Sequence, residues 1–224
     1  MDGVYGAISA DVVESTSLNR NDMFHLGDEI RSCFVDFKHY CYADFWGRLV
    51  KGDTIECCLN DPKMALRLAL LLKCRIKAWA GGLMCSDALK NYGIRFSIGV
   101  GEMRIIDTSA DIMDGEAIYI AGRNLSRIAA TYQSSSFGMN MRDRNVTFLI
   151  NMCISLLDDL INSLSTKQSA VIYYRMLGMT EVEISNILLI SQSSVNSRSR
   201  SGGWKLVNDT LSVFERINFV DYVV

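Results

Sequence analysis

Apolar residues recur along this chain with two rhythms, and the change between them divides it. Up to about residue 132, apolar runs of strand length alternate with longer stretches of helical spacing. Residues 4–11 are small and apolar up to Asp11 and predict a buried strand. Residues 19–42 carry Phe24, Leu26, Ile30, Phe34, Phe37 and Cys41 near helical spacing and predict a long helix. Residues 45–50 and 54–59 predict two strands. Lys51-Gly52-Asp53 joins them, and Gly and Asp are turn formers. Pro62 stands near the first position of a second helix, whose apolar stripe runs through Met64, Leu68, Leu71, Leu72, Ile76 and Trp79. A strand over 93–101 and a helix over 115–132 follow. The order β-α-β-β-α-β-α predicts an α+β domain, a ferredoxin-like sheet with its helices on one face.

Residues 133–145 are mostly small and polar, which places a linker there between domains at 1–132 and 146–224. Beyond the linker the spacing is helical only. Helices are expected over 146–160 and 166–177, the latter stopped by Gly178. Thr180 and Glu183 form a capping box that opens the next. Ser191 caps a fourth that reaches about residue 201, and a last helix covers 204–217. The second domain is therefore expected to be all-α.

Composition narrows the function classes. With 224 residues and 49% hydrophobic side chains, a substantial core forms and global disorder is excluded. The 25 acidic and 23 basic residues leave a net charge of −2, so the chain as a whole attracts neither nucleic acid nor anionic membrane. Any such contact needs a local patch. The 7 cysteines are odd in number and irregularly spaced, which reads as reduced thiols of a cytoplasmic protein. Zinc is not expected, because there is no CxxC pair and His25 and His39 are the only histidines. The apolar stretches are expected to be broken by charge before they reach membrane-spanning length, so no membrane contact is expected.

Asp11 ends the first strand and Asp53 sits in the turn between the second and third. If those strands are neighbours, the two carboxylates converge at one sheet end. That is the donor set on which a hard cation, Mg²⁺ or Mn²⁺, sits with phosphate oxygens completing its shell. Four segments then resemble class III nucleotidyl cyclases in order. They are Ala10-Asp11-Val-Val-Glu-Ser-Thr16, Gly52-Asp53, Ile94-Arg-Phe-Ser-Ile-Gly-Val-Gly101 and Asp111-Ile-Met-Asp-Gly-Glu-Ala-Ile-Tyr-Ile-Ala-Gly-Arg123. The resemblance covers roughly residues 1–132 and implies a homodimer. It also implies Asp11 and Asp53 as metal ligands, Asp111 as the reader of the base and Arg123 as the catalytic clamp on the reacting phosphate. Lys51 is the cation nearest the base-selecting position, which Leu49 occupies, and joins Asp111 and Arg123 as a nucleotide-binding candidate. The sequence also departs from the family. Tyr119 stands where an asparagine is usual, Glu14 replaces a small glycine, and the step from Asp111 to Arg123 is one residue longer than usual. These departures point to a degenerate sensor of a nucleotide or metal. The alternative is a working metal-dependent cyclase.

Residues 165–205 resemble the helix-turn-helix of sigma-factor region four. Glu183-Ile-Ser185 stands for the family's Glu-Ile-Ala, and Ile190-Ser-Gln-Ser-Ser-Val195 for the turn and the opening of the recognition helix. Ile184, Ile187 and Leu188 form the apolar side, and Ile190 and Val195 fasten the turn. Gln192, Ser193, Asn196, Ser197, Arg198, Arg200 and Lys205 are the DNA-contacting candidates. Gln and Asn match adenine edges, and Arg matches guanine or phosphate. Residues 146–224 nevertheless hold six basic against seven acidic side chains, so the alternative is a bundle that binds protein and no DNA. The combination of halves is similar to the SatD-like bacterial proteins. The expectation is a cytoplasmic, homodimeric transcriptional regulator that binds double-stranded DNA through its second domain.

Overall fold

The computed structural model describes residues 3–50, 52–110, 112–129, 135–139 and 144–222. The first half runs β1 (Val4–Val12), α1 (Arg20–Cys41), β2 (Phe45–Val50), β3 (Thr54–Leu59), α2 (Ala65–Ala80), α3 (Asp87–Tyr92), β4 (Ile94–Asp107), β5 (Ile112–Gly115) and α4 (Glu116–Ala129). The sheet order β2-β3-β1-β4 is antiparallel at each step. That is the ferredoxin-like arrangement the element order predicts, in which each helix crosses between strands that flank a third. Local chemistry sets the helix starts. The Asn19 side chain accepts from the Asp22 amide at the head of α1, and Pro62 stands in the 3₁₀ turn that leads into α2.

Alternation along β1 sorts the two faces. Ile8, Ala10 and Val12 join Leu26, Ile30, Phe37, Ile55, Phe96 and Ile98 in the main core with α1 and α2. Ala7 faces the other way and packs with Cys58, Met103, Ala117 and Ala121. Helix α4 therefore covers the face opposite α1 and α2, and the expectation of helices on one face is corrected. Small side chains are the physical reason. A Cβ on Gly99 would stand 2.1 Å from the Ala117 carbonyl oxygen, so α4 lies directly on the backbone of β4. Two further strands extend the sheet. β5 pairs antiparallel with the far part of β4. β6 (Ser136–Met139) pairs parallel with β4, so part of the expected linker is a strand.

The second half runs α5 (Arg144–Ser163), α6 (Thr166–Met176), α7 (Glu181–Leu188), α8 (Gln192–Ser201) and α9 (Trp204–Phe214). Its packing partner is α2. That helix buries Leu66, Leu68, Leu70, Leu71, Leu72 and Ile76 around its whole circumference, as a helix covered on all sides does. One core cluster runs from Ile8 in β1 to Leu211 in α9. Polar links cross the same seam. Arg67 donates to Glu215 at 2.6 Å and to the Met176 carbonyl at 2.6 Å, and the Tyr173 hydroxyl donates to Asp36 at 2.6 Å.

The seam also holds a buried ionic network. Lys73 of α2 pairs with Asp158 of α5 at 2.8 Å and donates to the Ile94 carbonyl at 2.9 Å. Asp158 accepts in addition from Ser135 and Asn162. Lys77 donates to the Asn162 carbonyl at 2.9 Å and to the Asn91 carbonyl. Burial, with Lys73 as a like-charged neighbour, pulls the Lys77 ammonium down to about 8. Residues Asn145–Ser163 reach the length and, at a mean hydropathy of 1.3, the composition of a membrane-spanning helix. Charge interrupts it as expected, at Asp158 and Asp159, which leaves an uncharged run of residues 145–157. Asp158 is neutralised by Lys73 inside the fold, and Asp159 is exposed.

Candidate functional site

The antiparallel register brings the two aspartates to one sheet end. Asp11 stands opposite Thr54 on β3, and the Val12 amide donates to the Asp53 carbonyl at 3.1 Å. The chain then turns at Glu14, which holds a left-handed conformation (φ 49°). An L-residue other than Asn or Asp visits that region at some cost, so Glu14 holds a glycine-like backbone while carrying a carboxylate. Ser15, buried just beyond, donates to Asp53 Oδ2 at 2.7 Å.

Arg95 was absent from the expected site. It lies directly opposite Asp11 in the β1–β4 register, and its Nη2 and Nε reach the two Asp11 oxygens at 2.7 and 3.3 Å. The signal that could have found it is a cross-strand pair of opposite charges, legible once the register is known. A guanidinium fork across both oxygens takes the lone pairs that a cation would use. Asp11 and Asp53 thus stand at one sheet end, Asp11 paired with Arg95 and Asp53 with Ser15, and among the described residues no group of three or more His, Cys, Asp or Glu gathers. A divalent cation held by Asp11 would compete with Arg95 for the same oxygens. Arg95 would first have to swing away.

Arg123 lies exposed on α4. Lys51 and Asp111, the other nucleotide-binding candidates, lie outside the described residues. Tyr119 donates its hydroxyl to Asp114, which Arg104 also pairs at 2.7 Å. The Asp114 carboxylate holds the phenol above its ordinary range. Tyr119 is therefore engaged on the β4–β5 hairpin.

No family model matches the chain, and no curated protein matches it. Two solved structures of bacterial light-regulated adenylyl cyclases are similar to it, with TM-scores of 0.42 and 0.43 and identities of 16% and 15%. Each likeness covers 60% of this chain, and the chain spans 75% of the first structure and 43% of the second.

The other cluster of candidates is on the helical half. Thr180 and Glu183 cap each other at the head of α7, as expected, and Ser191 accepts from the Ser194 amide to open α8. Between the two helices Leu189 takes a left-handed conformation (φ 52°) and is 89% exposed, while the Ile190 amide donates back to the Ser185 carbonyl at 3.1 Å. Val195 and Ser199 point inward and are buried, which leaves Gln192, Ser193, Asn196, Ser197 and Arg200 exposed on the outer side of α8. Arg198 is half-buried. Lys205 follows on α9 and pairs with Asp209 at 2.9 Å. Asn196 donates to Glu181 at 3.1 Å, and the same carboxylate oxygen receives Arg175 at 2.5 Å. Those two donors hold the Glu181 carboxyl below its ordinary range. Glu181 and Arg175 were not among the expected residues, and they tie the outer face of α8 to α6 and α7.

Proposed function

We propose that this protein is a DNA-binding regulator in which a degenerate, cyclase-like half senses a ligand and α7–α8 serve as a helix-turn-helix. The observation that carries the reading is the outer face of α8, where Gln192, Ser193, Asn196, Ser197 and Arg200 stand exposed in one row of polar donors and acceptors. A helix of this kind enters the major groove, with its first turns against base edges. Gln192 and Asn196 have the amides that pair with adenine, and Arg200 the fork that pairs with guanine or phosphate. Arg198 and Lys205 flank the row and suit phosphate contacts. The Asn196–Glu181 and Lys205–Asp209 contacts are exposed, so exchanging them for DNA costs little. The helical half has slightly more acidic than basic side chains, so one copy binds weakly and two copies on a symmetric site are needed. The supporting test is selection of fragmented genomic DNA on the purified protein at moderate salt. Recovery of one symmetric site is expected, with Arg200→Ala weakening its binding about ten- to a hundredfold. Random fragments, or none, would leave the helical half as a protein-binding element.

A second reading, a metal-dependent nucleotidyl cyclase, is favoured by one observation, the arrival of Asp11 and Asp53 at one sheet end. It predicts a cyclic product from a nucleoside triphosphate with Mg²⁺ or Mn²⁺, abolished by Asp11→Ala and by Asp53→Ala. Absence of any product from all four triphosphates would remove it.

A further inference from the structure

Helix α5 is apolar on two sides, and the fold uses one of them. Ile150, Ile154, Leu157 and Ile161 are buried against the body. Phe148 (69% exposed), Leu149 (54%), Met152 (47%) and Leu156 (63%) recur at helical spacing on the outside, with Cys153 exposed among them. No charged side chain interrupts this stripe from Phe148 to Leu156. Exposed apolar surface this continuous marks an interaction site.

We propose that this stripe is the interface with a second copy of the chain, the two α5 helices packing antiparallel about a two-fold axis near Met152 and Cys153. Three features select that occupant. First, a stripe without charge offers nothing to an acidic or basic partner, whereas apolar area matches itself. Second, the stripe is self-complementary when reversed. With the axis between Met152 and Cys153, Leu149 meets Leu156 of the second copy, and the smaller Cys153 lies at the centre, where the helices come closest. Third, the ends of α5 are set against its own dipole. The helix opens at Arg144 with no acidic residue in its first turn, and exposed Asp159 lies near its C-terminal end with no basic residue in the last turn. An antiparallel copy brings Asp159 beside the positive N-terminal end of the partner helix, and this occurs twice by symmetry. The interface would also pair two copies of the helical half, as the proposed DNA reading requires, but it is argued from α5 alone and tested without DNA.

The test uses Cys153 as a built-in reporter. Cys33, Cys57, Cys58 and Cys74 are buried and Cys41 and Cys85 half-buried, so Cys153 is the exposed thiol among the seven. On an antiparallel pair it lies beside its own copy, within the reach of a disulfide. Mild oxidation with diamide, which takes the two electrons and two protons released by the thiols, is expected to convert the full-length protein to a covalent dimer that dithiothreitol reverses. Cys153→Ser abolishes the cross-link but keeps the dimer mass by sedimentation equilibrium. Leu156→Glu raises the dimer dissociation constant at least a hundredfold while the circular dichroism spectrum is unchanged. Should Leu156→Glu misfold, Met152→Gln, a milder change at the centre of the stripe, must weaken the dimer at least tenfold. A monomer at tens of micromolar protein overturns the proposal. So does a dimer that neither cross-links at Cys153 nor responds to position 152 or 156. Flotation of the wild-type monomer with phospholipid vesicles, lost in Leu156→Glu, would assign the stripe to a lipid surface instead.

Discussion

At the scale of single residues, Arg95 decides what the sheet end can do. Its fork pairs with Asp11 across two contacts of 2.7 and 3.3 Å, so a cation at Asp11 would have to displace it. Removing the guanidinium leaves the Asp11 carboxylate without its cation, while Asp53 keeps its bond from Ser15. Arg95→Met is therefore expected to lower stability by about 1–3 kcal/mol, the cost of an orphaned carboxylate, and to raise Mn²⁺ affinity about tenfold or more over the wild type. Electron paramagnetic resonance titration of free Mn²⁺ reads the second effect. Equal affinity in both proteins would mean that Asp11 and Asp53 do not share a cation even when both are available. Leu189 gives a contrasting case. Its φ of 52° is strained, and its side chain contributes little because it is 89% exposed. Leu189→Gly is expected to stabilise by roughly 0.5–1 kcal/mol, relief of about 1–2 kcal/mol of left-handed strain being partly offset by the unfolded-state entropy of glycine. Thermal unfolding followed by circular dichroism measures it. Neither residue was legible beforehand. The pairing of Arg95 depends on strand register, and a left-handed leucine leaves no mark in composition. Asp11 and Asp53 were legible, because a carboxylate at a strand end and one in a Gly-Asp turn are local features.

Among elements, what the sequence discloses depends on how strongly each one patterns. The strands β1, β2 and β3, the long helix α1 and the capped helices α7 and α8 follow from apolar spacing and caps, signals that local chemistry writes directly. β6 escapes notice because four residues inside a polar run gain strand geometry only by pairing with β4. The side on which α4 packs escapes for a different reason. Ala7, Gly99, Ala117 and Ala121 make a close contact with little hydrophobic signal. Helix α2 could have said more than its stripe suggested. Leu66 and Leu70 fall off the stripe through Leu68, Leu72 and Ile76, and a helix apolar all round needs cover on both sides. That cover comes with the Lys73–Asp158 pair, whose side chains are both almost fully buried. Breaking such a pair from one side leaves a charge alone in the interior. Lys73→Met is expected to destabilise by about 3–5 kcal/mol, and the double change Lys73→Met with Asp158→Leu to recover most of it. Urea denaturation of the wild type, both single variants and the double variant gives the coupling. Additive effects would mean that the two side chains contribute separately.

For the whole molecule, the question is whether the two halves are separable units. The polar composition of residues 133–145 argues that they are, and much of that segment lies outside the described residues. Three contacts argue the other way. α2 is wrapped by the sheet on one side and by α5 and α6 on the other, Arg67 reaches Glu215 near the C-terminus, and Asp36 of α1 accepts from Tyr173 of α6. A shared core of this kind makes the stability of each half conditional on the other. The expected consequence is a single calorimetric transition for the full chain, with the van't Hoff and calorimetric enthalpies equal. A fragment ending at residue 143 would strip the cover from α2 and leave Lys73 without Asp158. It is expected to aggregate or to lack near-ultraviolet circular dichroism, because the stability of a domain this size is only about 5–15 kcal/mol and the lost burial exceeds it. Two resolved transitions, or a folded and monomeric fragment, would show that the seam is a docking surface between independent units. Under the regulator reading proposed above, the distinction bears on how a bound ligand would act. In a shared core, a ligand that shifts α1 or α2 must also shift α6, and α6 holds α7 and α8 through Arg175, Glu181 and Ser199. Coupling from the sheet end to the outer face of α8 then needs no hinge, only a change in how α2 and α6 pack.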